Sequence, residues 1–141
     1  MYDEILCPTD GSGGSDAAVE HACYLAELAD ARIHALFVVD ETIAGADGWD
    51  AVVEREEERG ENALDAVAAA GAERGVPVER HLGRGRPHEE ILDAAGDYAV
   101  DLIVMGTHGR TGVGRFLAAG SVAERVVRHS EAPVLTARLA E

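Results

Sequence analysis

Apolar and polar residues alternate along this chain in two rhythms that predict strands and helices in turn. Short apolar runs are typical of strands buried on both faces of a sheet. They predict five strands: Glu4 to Cys7, Ile33 to Val39, Val76 to Leu82, Leu102 to Met105 and Val134 to Ala137. Between them, apolar residues recur about every 3.6 positions, which favours amphipathic helices. The predicted helices are Ser15 to Ala29, Ala51 to Arg74, a helix opened by Pro87, and Ser121 to His129.

Strands that alternate with helices predict an α/β fold, a doubly wound and mostly parallel sheet with helices on both faces. Pro77 near the start of the third strand favours an edge position for that strand, because proline cannot donate to a central ladder. The segment from Glu41 to Asp50 carries Gly and Asp and is predicted to be a loop. No linker or repeat divides the 141 residues, so we expect a single domain over residues 1–141.

The charge balance excludes some partners. Asp and Glu number 27 against 12 cations, all of them Arg, for a net charge of −15. Nucleic acid and anionic membranes attract basic surfaces, so we expect neither as a partner. An acidic surface without Lys suits cytosol at high salt, where self-repulsion is screened, and a halophilic source is our hypothesis.

Location and redox state also follow from the sequence. No apolar run approaches the roughly 20 residues that span a bilayer. The acidic start Met1-Tyr2-Asp3-Glu4 is unlike a signal peptide, so we expect a cytoplasmic protein. Cys7 and Cys23 lie in no CxxC motif and are predicted to be buried free thiols.

Candidate ligand-binding residues follow the predicted strands, because open parallel sheets bind ligands outside the carboxyl ends of their strands. Pro8-Thr9-Asp10-Gly11 follows the first strand and Asp40 the second. The fourth strand is followed by the densest glycine cluster, from Gly106 to Gly114. Glycines let several backbone N–H groups approach one phosphate, and the helix that begins at Gly120-Ser121 adds its N-terminal N–H groups. This pattern favours a polyphosphate site.

Several of these residues have two interpretations. Ser121 either caps its own helix in a Ser-x-x-Glu capping box or binds phosphate. Ser12 or Ser15 is predicted to be the N-cap of the first helix. Asp10 has no neighbour in sequence with which to pair, and it binds a ribose hydroxyl, helps to hold a metal ion or shapes the turn; we favour a ligand role.

The basic residues near the glycine loop are equally open to interpretation. His108 either donates to a phosphate or is positional. Arg110 and Arg115 either neutralise phosphate or serve solubility. The remaining histidines, His21, His34, His81, His88 and His129, are scattered and predict no metal site formed by the protein alone.

Taken together, these motifs resemble the nucleotide-binding branch of the universal stress protein family. The resemblance runs nearly end to end. Its motifs are Pro8-Thr9-Asp10, Val38-Val39-Asp40, Gly85-Arg86-Pro87, Asp101-Leu102-Ile103-Val104-Met105-Gly106, Gly106-x-x-Gly109, Gly120-Ser121-Val122 and Pro133-Val134-Leu135. In one departure, the stretch from Arg110 to Ala119 is one residue longer than the family's usual spacing, which bears on phosphate affinity.

The resemblance implies a five-stranded parallel sheet in the order 3-2-1-4-5. ATP or AMP, with Mg²⁺, would lie across strands one and four, and a homodimer would form through Val134 to Ala137. Asp10 would approach the ribose, while the Val38 backbone and the neighbourhood of Met105 would hold adenine. Other nucleotide-binding positions implied are Pro8, Thr9, Gly106, His108, Gly109, Arg110, Gly120, Ser121 and Val122.

The expected function is a regulatory module that binds ATP or AMP as a stress-response switch. The first alternative is an ATPase or autophosphorylating enzyme. Its turnover would be slow, because a chain without Lys lacks much of what phosphoryl transfer requires. The second is a structural dimer with an empty crevice. A phospho-receiver domain is excluded, since strand three ends at Leu82-Gly83 without a phospho-accepting Asp and no Lys exists.

Overall fold

The computed structural model describes residues 1–41, 49–107 and 122–138, and it confirms the α/β architecture. Helices and strands alternate along the chain, and all five predicted strands form. In chain order the elements are β1 (Glu4–Pro8), α1 (Gly13–Ala29), β2 (Arg32–Asp40), α2 (Trp49–Glu73), β3 (Val78–Gly85), α3 (Pro87–Asp97), β4 (Leu102–Gly106), α4 (Val122–His129) and β5 (Val134–Ala137).

The strands form one parallel sheet in the order β3-β2-β1-β4-β5, which confirms the order implied by the sequence. β1 is central: Ile5 pairs with Ile33 of β2 on one side and with Leu102 of β4 on the other. β3 is an edge strand, as Pro77 predicts, and β5 forms the opposite edge.

Helices cover both faces of the sheet. On one face, α1 and α2 bury alternate strand residues such as Ile5 and Ile33. On the other, α3 and α4 bury the intervening ones, among them Leu6 and Ile103. Because both faces are covered, the central strands read as continuous apolar runs rather than as alternating patterns.

Small differences from the predicted boundaries have local causes. α1 begins at Gly13 rather than Ser15, because Ser12 is the N-cap and its Oγ accepts from the Ser15 N–H at 3.4 Å. β3 begins at Val78 rather than Val76, immediately after Pro77. α3 opens at Pro87, where the missing N–H costs no helical hydrogen bond.

Both cysteines are free and buried, as expected. Burial, with a smaller contribution from Cys23, raises the pKa of the Cys7 thiol to about 12, so this thiol is unreactive at neutral pH. In the described parts of the chain, no helix combines the length and apolar character that crossing a membrane requires.

Candidate functional site

The strand order reverses between β1 and β4. From β1 the chain builds outward through β2 to β3, then returns to place β4 on the other side of β1 and β5 beyond it. The parallel register pairs Leu6 with Ile103, so the residues after both strands lie at one edge of the sheet. Such a reversal opens a crevice at the carboxyl ends of the two strands, where doubly wound sheets bind ligands.

The turn after β1 is held by hydrogen bonds centred on Asp10. Its carboxylate Oδ1 accepts from the Ser15 hydroxyl at 2.6 Å and from the Ser12 N–H at 2.9 Å. The Ser15 Oγ in turn accepts from the Asp10 N–H at 3.0 Å. Gly11 follows with a φ of +80°, a left-handed conformation that favours glycine. The turn thus fixes the Asp10 carboxylate before any ligand arrives.

These contacts correct the expectation that Asp10 has no partner nearby in sequence. Burial alone would raise the pKa of the Asp10 carboxyl. Hydrogen bonds from Ser12 and Ser15, together with the Arg59 guanidinium, outweigh burial and leave the pKa below its ordinary value. Asp10 is therefore ionised at neutral pH, and its turn-shaping role is established whether or not it binds a ligand.

Arg59 of α2 is a cation at this edge that the sequence did not place there. Its Nη2 donates to the Asp10 carbonyl, and its Nη1 lies 2.9 Å from Glu56 Oε2. The guanidinium also lies over the Phe37 ring, 5.5 Å from its centroid. Arg59 is far from Asp10 in sequence, so only the packing of α2 on β2 brings them together.

The other described site residues lie around the same edge. Pro8 and Thr9 are buried at the end of β1, and the Thr9 N–H continues the sheet by donating to the Leu36 carbonyl at 2.8 Å. Val38 is half-buried in β2, and its backbone pairs with β3. The Met105 side chain is buried in the core beneath α3 and α4, so it is the backbone near Met105 that reaches the edge.

The glycine loop falls only partly within the described residues. Gly106 ends β4, and Val122 begins α4. Five predicted site residues lie outside the described part of the chain: His108, Gly109, Arg110, Gly120 and Ser121.

A groove of about 440 Å³ opens beside this edge, between α1 and α2. Thr9 and Gly11 lie at its mouth with Arg59, while Asp16 and Glu20 of α1 give it an acidic wall. Its described lining comes from the β1 turn and the two helices rather than from β4. It therefore lies beside the Asp10 turn, on the side of the sheet that α1 and α2 cover.

A second polar cluster lies in the amino-terminal half of the sheet, on the face that α3 covers. His34 of β2 and His81 of β3 approach within 3.2 Å, and Glu79 and Tyr98 border them. The two histidines, which are far apart in the sequence, are therefore neighbours in the fold. The expectation that the histidines predict no metal site overlooked this pair.

Three comparisons with known proteins identify the family. The profile of the universal stress protein family matches residues 1–138. Universal stress protein MJ0531 of Methanocaldococcus jannaschii is 39% identical, over 98% of this chain and 83% of that protein. The solved structure of protein MJ0577 matches with a TM-score of 0.85 and 30% identity, over 100% of this chain and 99% of that one.

A solved structure of an Arabidopsis thaliana universal stress protein family protein, reported with AMP bound, shares the fold at a TM-score of 0.75. Its sequence is 19% identical, over 98% of this chain and 92% of that one. The order of the sheet, the sequence motifs and the match over residues 1–138 agree. The chain belongs to the universal stress protein family.

Proposed function

We propose that this protein is a regulatory module of the cytoplasm that binds an adenine nucleotide, ATP or AMP, across the carboxyl ends of β1 and β4. The observation that carries the proposal is the reversal of strand order between these two strands. It brings the ordered Asp10 turn and the start of the glycine loop at Gly106 to one crevice. The relative reported with AMP bound supports it, since that protein has the same fold and binds an adenine nucleotide.

Each end of the nucleotide has a chemical match in this arrangement. The ionised Asp10 carboxylate is a strong acceptor for ribose hydroxyls, and the turn holds it in place. Backbone groups near Val38 and Met105 would meet adenine. The phosphates would lie toward Gly106, Gly109 and Gly120-Ser121-Val122, where N–H groups of the loop and of the α4 N-terminus serve anions.

A divalent ion fits the oxygen donors of this edge. Mg²⁺ prefers oxygen ligands and usually binds through substrate phosphates with one or two protein carboxylates. Asp10 offers such a carboxylate, with the Thr9 hydroxyl beside it. When bound, Mg²⁺ would neutralise phosphate charge, which matters in a protein with a net charge of −15.

Regulation fits this site better than rapid catalysis. Phosphoryl transfer requires cationic clamps around the transferred group, and this chain has no Lys. Arg59, the described cation beside the Asp10 turn, is already engaged by Glu56 and the Asp10 carbonyl. The second candidate, a slow ATPase or autophosphorylating enzyme, predicts product formation on repeated turnover. An assay with labelled ATP separates the two, because repeated turnover, even at a slow rate, would overturn the regulatory assignment.

The proposal includes a homodimer that forms through β5. The Ile103 N–H donates to the Pro133 carbonyl, just before β5, and the Thr107 N–H to the Ala137 carbonyl at its end, so both carbonyls face β4. Alternation along a strand then turns the Thr136 backbone outward. An unpaired outer edge of this kind is a template for a second strand.

The role of Asp10 is tested by Asp10→Asn, which keeps the acceptor oxygen of the turn and removes the charge. We expect affinity for AMP and for ATP to fall together, by roughly tenfold, since both share the ribose. The matched control is Asp93→Asn, an exposed position of α3. Affinity for AMP is measured by calorimetry at high KCl. If the parent and Asp10→Asn bind AMP equally well, Asp10 only shapes the turn and does not bind the nucleotide.

The dimer is tested by Thr136→Pro, which removes the outward N–H while leaving pairing with β4 intact. Thr136→Val is the control, because it keeps that donor. Light scattering after size-exclusion chromatography should show a dimer for the parent and Thr136→Val and a monomer for Thr136→Pro. A monomeric parent would show that no such dimer forms. A dimeric Thr136→Pro would show that the interface lies elsewhere than β5.

A further inference from the structure

The cluster beneath α3 joins three elements of the fold. His34 lies on β2, Glu79 and His81 on β3, and Tyr98 at the end of α3. The register pairs His34 with Glu79, and residues two apart on a strand share a face, so Glu79, His81 and His34 all point the same way. His34 is only 3% exposed, which makes it one of few polar residues buried in the described core.

Three potential ligand atoms converge in this cluster. The His34 Nδ1 lies 3.2 Å from the His81 Nε2 and 3.6 Å from the Glu79 Oε2. One such atom from each residue lies within 4.8 Å of the other two. Two nitrogens bound to one tetrahedral ion at about 2.0–2.1 Å are separated by little more than 3 Å, so the side chains need only small rotations to share an ion.

The outer ring nitrogens of both histidines also have partners. The His34 Nε2–H donates to the Glu4 Oε1 at 2.9 Å, and the His81 Nδ1 lies 3.1 Å from the Tyr98 hydroxyl. Histidines that bind metals usually donate their second ring N–H to a carboxylate or another oxygen, which fixes the tautomer and the ring orientation. The Glu4 contact leaves the His34 Nδ1 lone pair facing the cluster.

We propose that His34, His81 and Glu79 form a binding site for a divalent transition-metal ion of the Zn²⁺ class, with Glu4 and Tyr98 as positioning residues. The site lies on the α3 face, away from the carboxyl edge where we place the nucleotide. It is therefore independent of the proposed function, and either assignment can fail without the other.

The donor set selects the class of ion. Two imidazole nitrogens and one carboxylate suit Zn²⁺ and its neighbours in the first transition series, whereas Mg²⁺ and Ca²⁺ prefer oxygen alone. Three protein ligands leave one position of a tetrahedral ion for water or another ligand.

Metal binding requires one rearrangement of protons. The short approach of the His34 Nδ1 to the His81 Nε2 accommodates one hydrogen bond, with the proton on His81. To bind an ion, His81 must carry its single ring proton on Nδ1 instead, where the Tyr98 hydroxyl oxygen accepts it. The number of protons is unchanged, and the Nε2 lone pair becomes available.

Arg32 opposes the ion and provides a distinctive test. Its Nη1 lies 3.9 Å from the Glu4 Oε1 and 3.8 Å from the Glu79 Oε2. The guanidinium thus competes with a cation for both carboxylates and adds repulsion nearby. Removal of this charge by Arg32→Gln should tighten metal binding a few-fold. A cluster that serves only as a hydrogen-bonded link between strands predicts no such gain.

The test is calorimetric titration of nucleotide-free protein with Zn²⁺, in excess Mg²⁺ to occupy oxygen-only sites on the acidic surface. We expect one ion per chain, with affinity reduced roughly tenfold or more in His81→Gln and in Glu79→Gln. His21→Gln, an exposed histidine of α1, should match the parent. Glu79 is on the sheet edge and half-exposed, so Glu79→Gln keeps the test valid if His81→Gln folds poorly.

Co²⁺ reports the ligand geometry directly. The parent should give the intense visible absorption bands of tetrahedral Co²⁺, and His81→Gln should lose them while its circular dichroism stays unchanged. Glu4→Gln should weaken affinity by about 10–100-fold yet keep the spectrum, as a positioning residue does. Absence of Zn²⁺ binding, or equal affinity in the parent, His81→Gln and His21→Gln, would overturn the proposal and leave a hydrogen-bonded strand link.

Discussion

Two polar sites occupy this sheet, and they are assembled in opposite ways. At the carboxyl edge, the Asp10 carboxylate is bound by Ser12 and Ser15 within a single turn. Beneath α3, His34 meets His81 from the next strand and Glu4 from the preceding one. The Asp10 turn is built within the local chain, whereas the His34 cluster exists only when β1, β2 and β3 are in register.

The difference has consequences for stability and function. A local turn is retained as long as its own hydrogen bonds remain, so the Asp10 geometry depends little on distant parts of the chain. The His34 cluster is buried among long-range contacts, and any shift of β3 separates its members. The turn should therefore tolerate distant substitutions that the cluster does not.

The largest effect should come from Gly71→Ala in α2. An added Cβ would overlap the Val78 side chain and lie 3.0 Å from the Val76 carbonyl oxygen. Overpacking of this kind costs about 1–3 kcal/mol, and here it pushes on the start of β3, next to Glu79. Urea unfolding should show the loss, and Zn²⁺ affinity should fall while AMP affinity is kept.

Gly96→Ala is the matched control for that substitution. Gly96 lies in α3, and no atom of the residues that the structure describes lies within 4 Å of the position of its added Cβ. Alanine in a helix interior is favoured over glycine by about 0.5–1 kcal/mol, so this variant should be neutral or more stable. A destabilised Gly96→Ala, or a Gly71→Ala as stable as the parent, would contradict the packing of α2 on β3.

Ser15→Ala should break the carboxyl edge and spare the cluster. The Ser15 hydroxyl is buried, donates to the Asp10 carboxylate and accepts from its N–H, so we expect a loss of about 1–2 kcal/mol. The pKa of Asp10 should rise because one of its hydrogen bonds is lost. Urea unfolding and carboxyl chemical shifts measure the two effects. An unchanged Asp10 pKa would count against this description of the turn.

Asp101→Asn should act on the amino end of the sheet, more weakly. The Asp101 carboxylate accepts from the Asp3 and Glu4 N–H groups at 2.8 and 3.0 Å, and these bonds lower its pKa. A lowered pKa in the folded state gives stability that is present at neutral pH and lost as the pH falls through that pKa. Because the group is partly exposed, we expect about 0.5–1 kcal/mol at pH 7.

The pH dependence is the check on that prediction. The stability difference between the parent and Asp101→Asn, from thermal unfolding, should be greatest near neutrality and vanish in acid. Since Glu4 also binds His34, Asp101→Asn should lower Zn²⁺ affinity slightly as well. A stability difference independent of pH would exclude the ionised carboxylate as the source.

The smallest effect should come from Glu90→Gln in α3. Burial raises the pKa of Glu90, and so do the neighbouring carboxylates Asp93, Glu41, Glu89 and Asp97. The charged form is thus unfavourable in the folded state, and the Gln variant should be a few tenths of a kcal/mol more stable at neutral pH. The gain should shrink as KCl is raised, and the parent itself should become more stable with salt. A gain unaffected by KCl would exclude charge repulsion as its origin.

Periodicity predicted every strand, because burial on both faces of a parallel sheet leaves continuous apolar runs, and the predicted helix ends lie within two residues of those observed. It also predicted the carboxyl edge as the place for a ligand. The partners of Asp10 were missed, since their contacts depend on the turn geometry rather than on the pattern. Arg59 was missed because it is far from Asp10 in sequence, and only the packing of α2 on the sheet brings the two residues together.

The His34 cluster was missed for a different reason. The pairing of His34 with Glu79 depends on the register between β2 and β3, which no local pattern encodes. Two signals were nevertheless present. A histidine inside an apolar strand must find hydrogen-bond partners, and Glu79 and His81 occupy alternate positions on one strand.

Titration of ATP and AMP into the parent and Gly109→Val at high KCl tests whether the crevice between β1 and β4 holds an adenine nucleotide. A side chain at position 109 should keep the β- and γ-phosphates from the loop. We predict that the parent binds one nucleotide per chain, and that Gly109→Val loses affinity for ATP by roughly tenfold or more, with a smaller loss for AMP. A parent that binds neither nucleotide, or a Gly109→Val that holds ATP as tightly as the parent, would contradict the account.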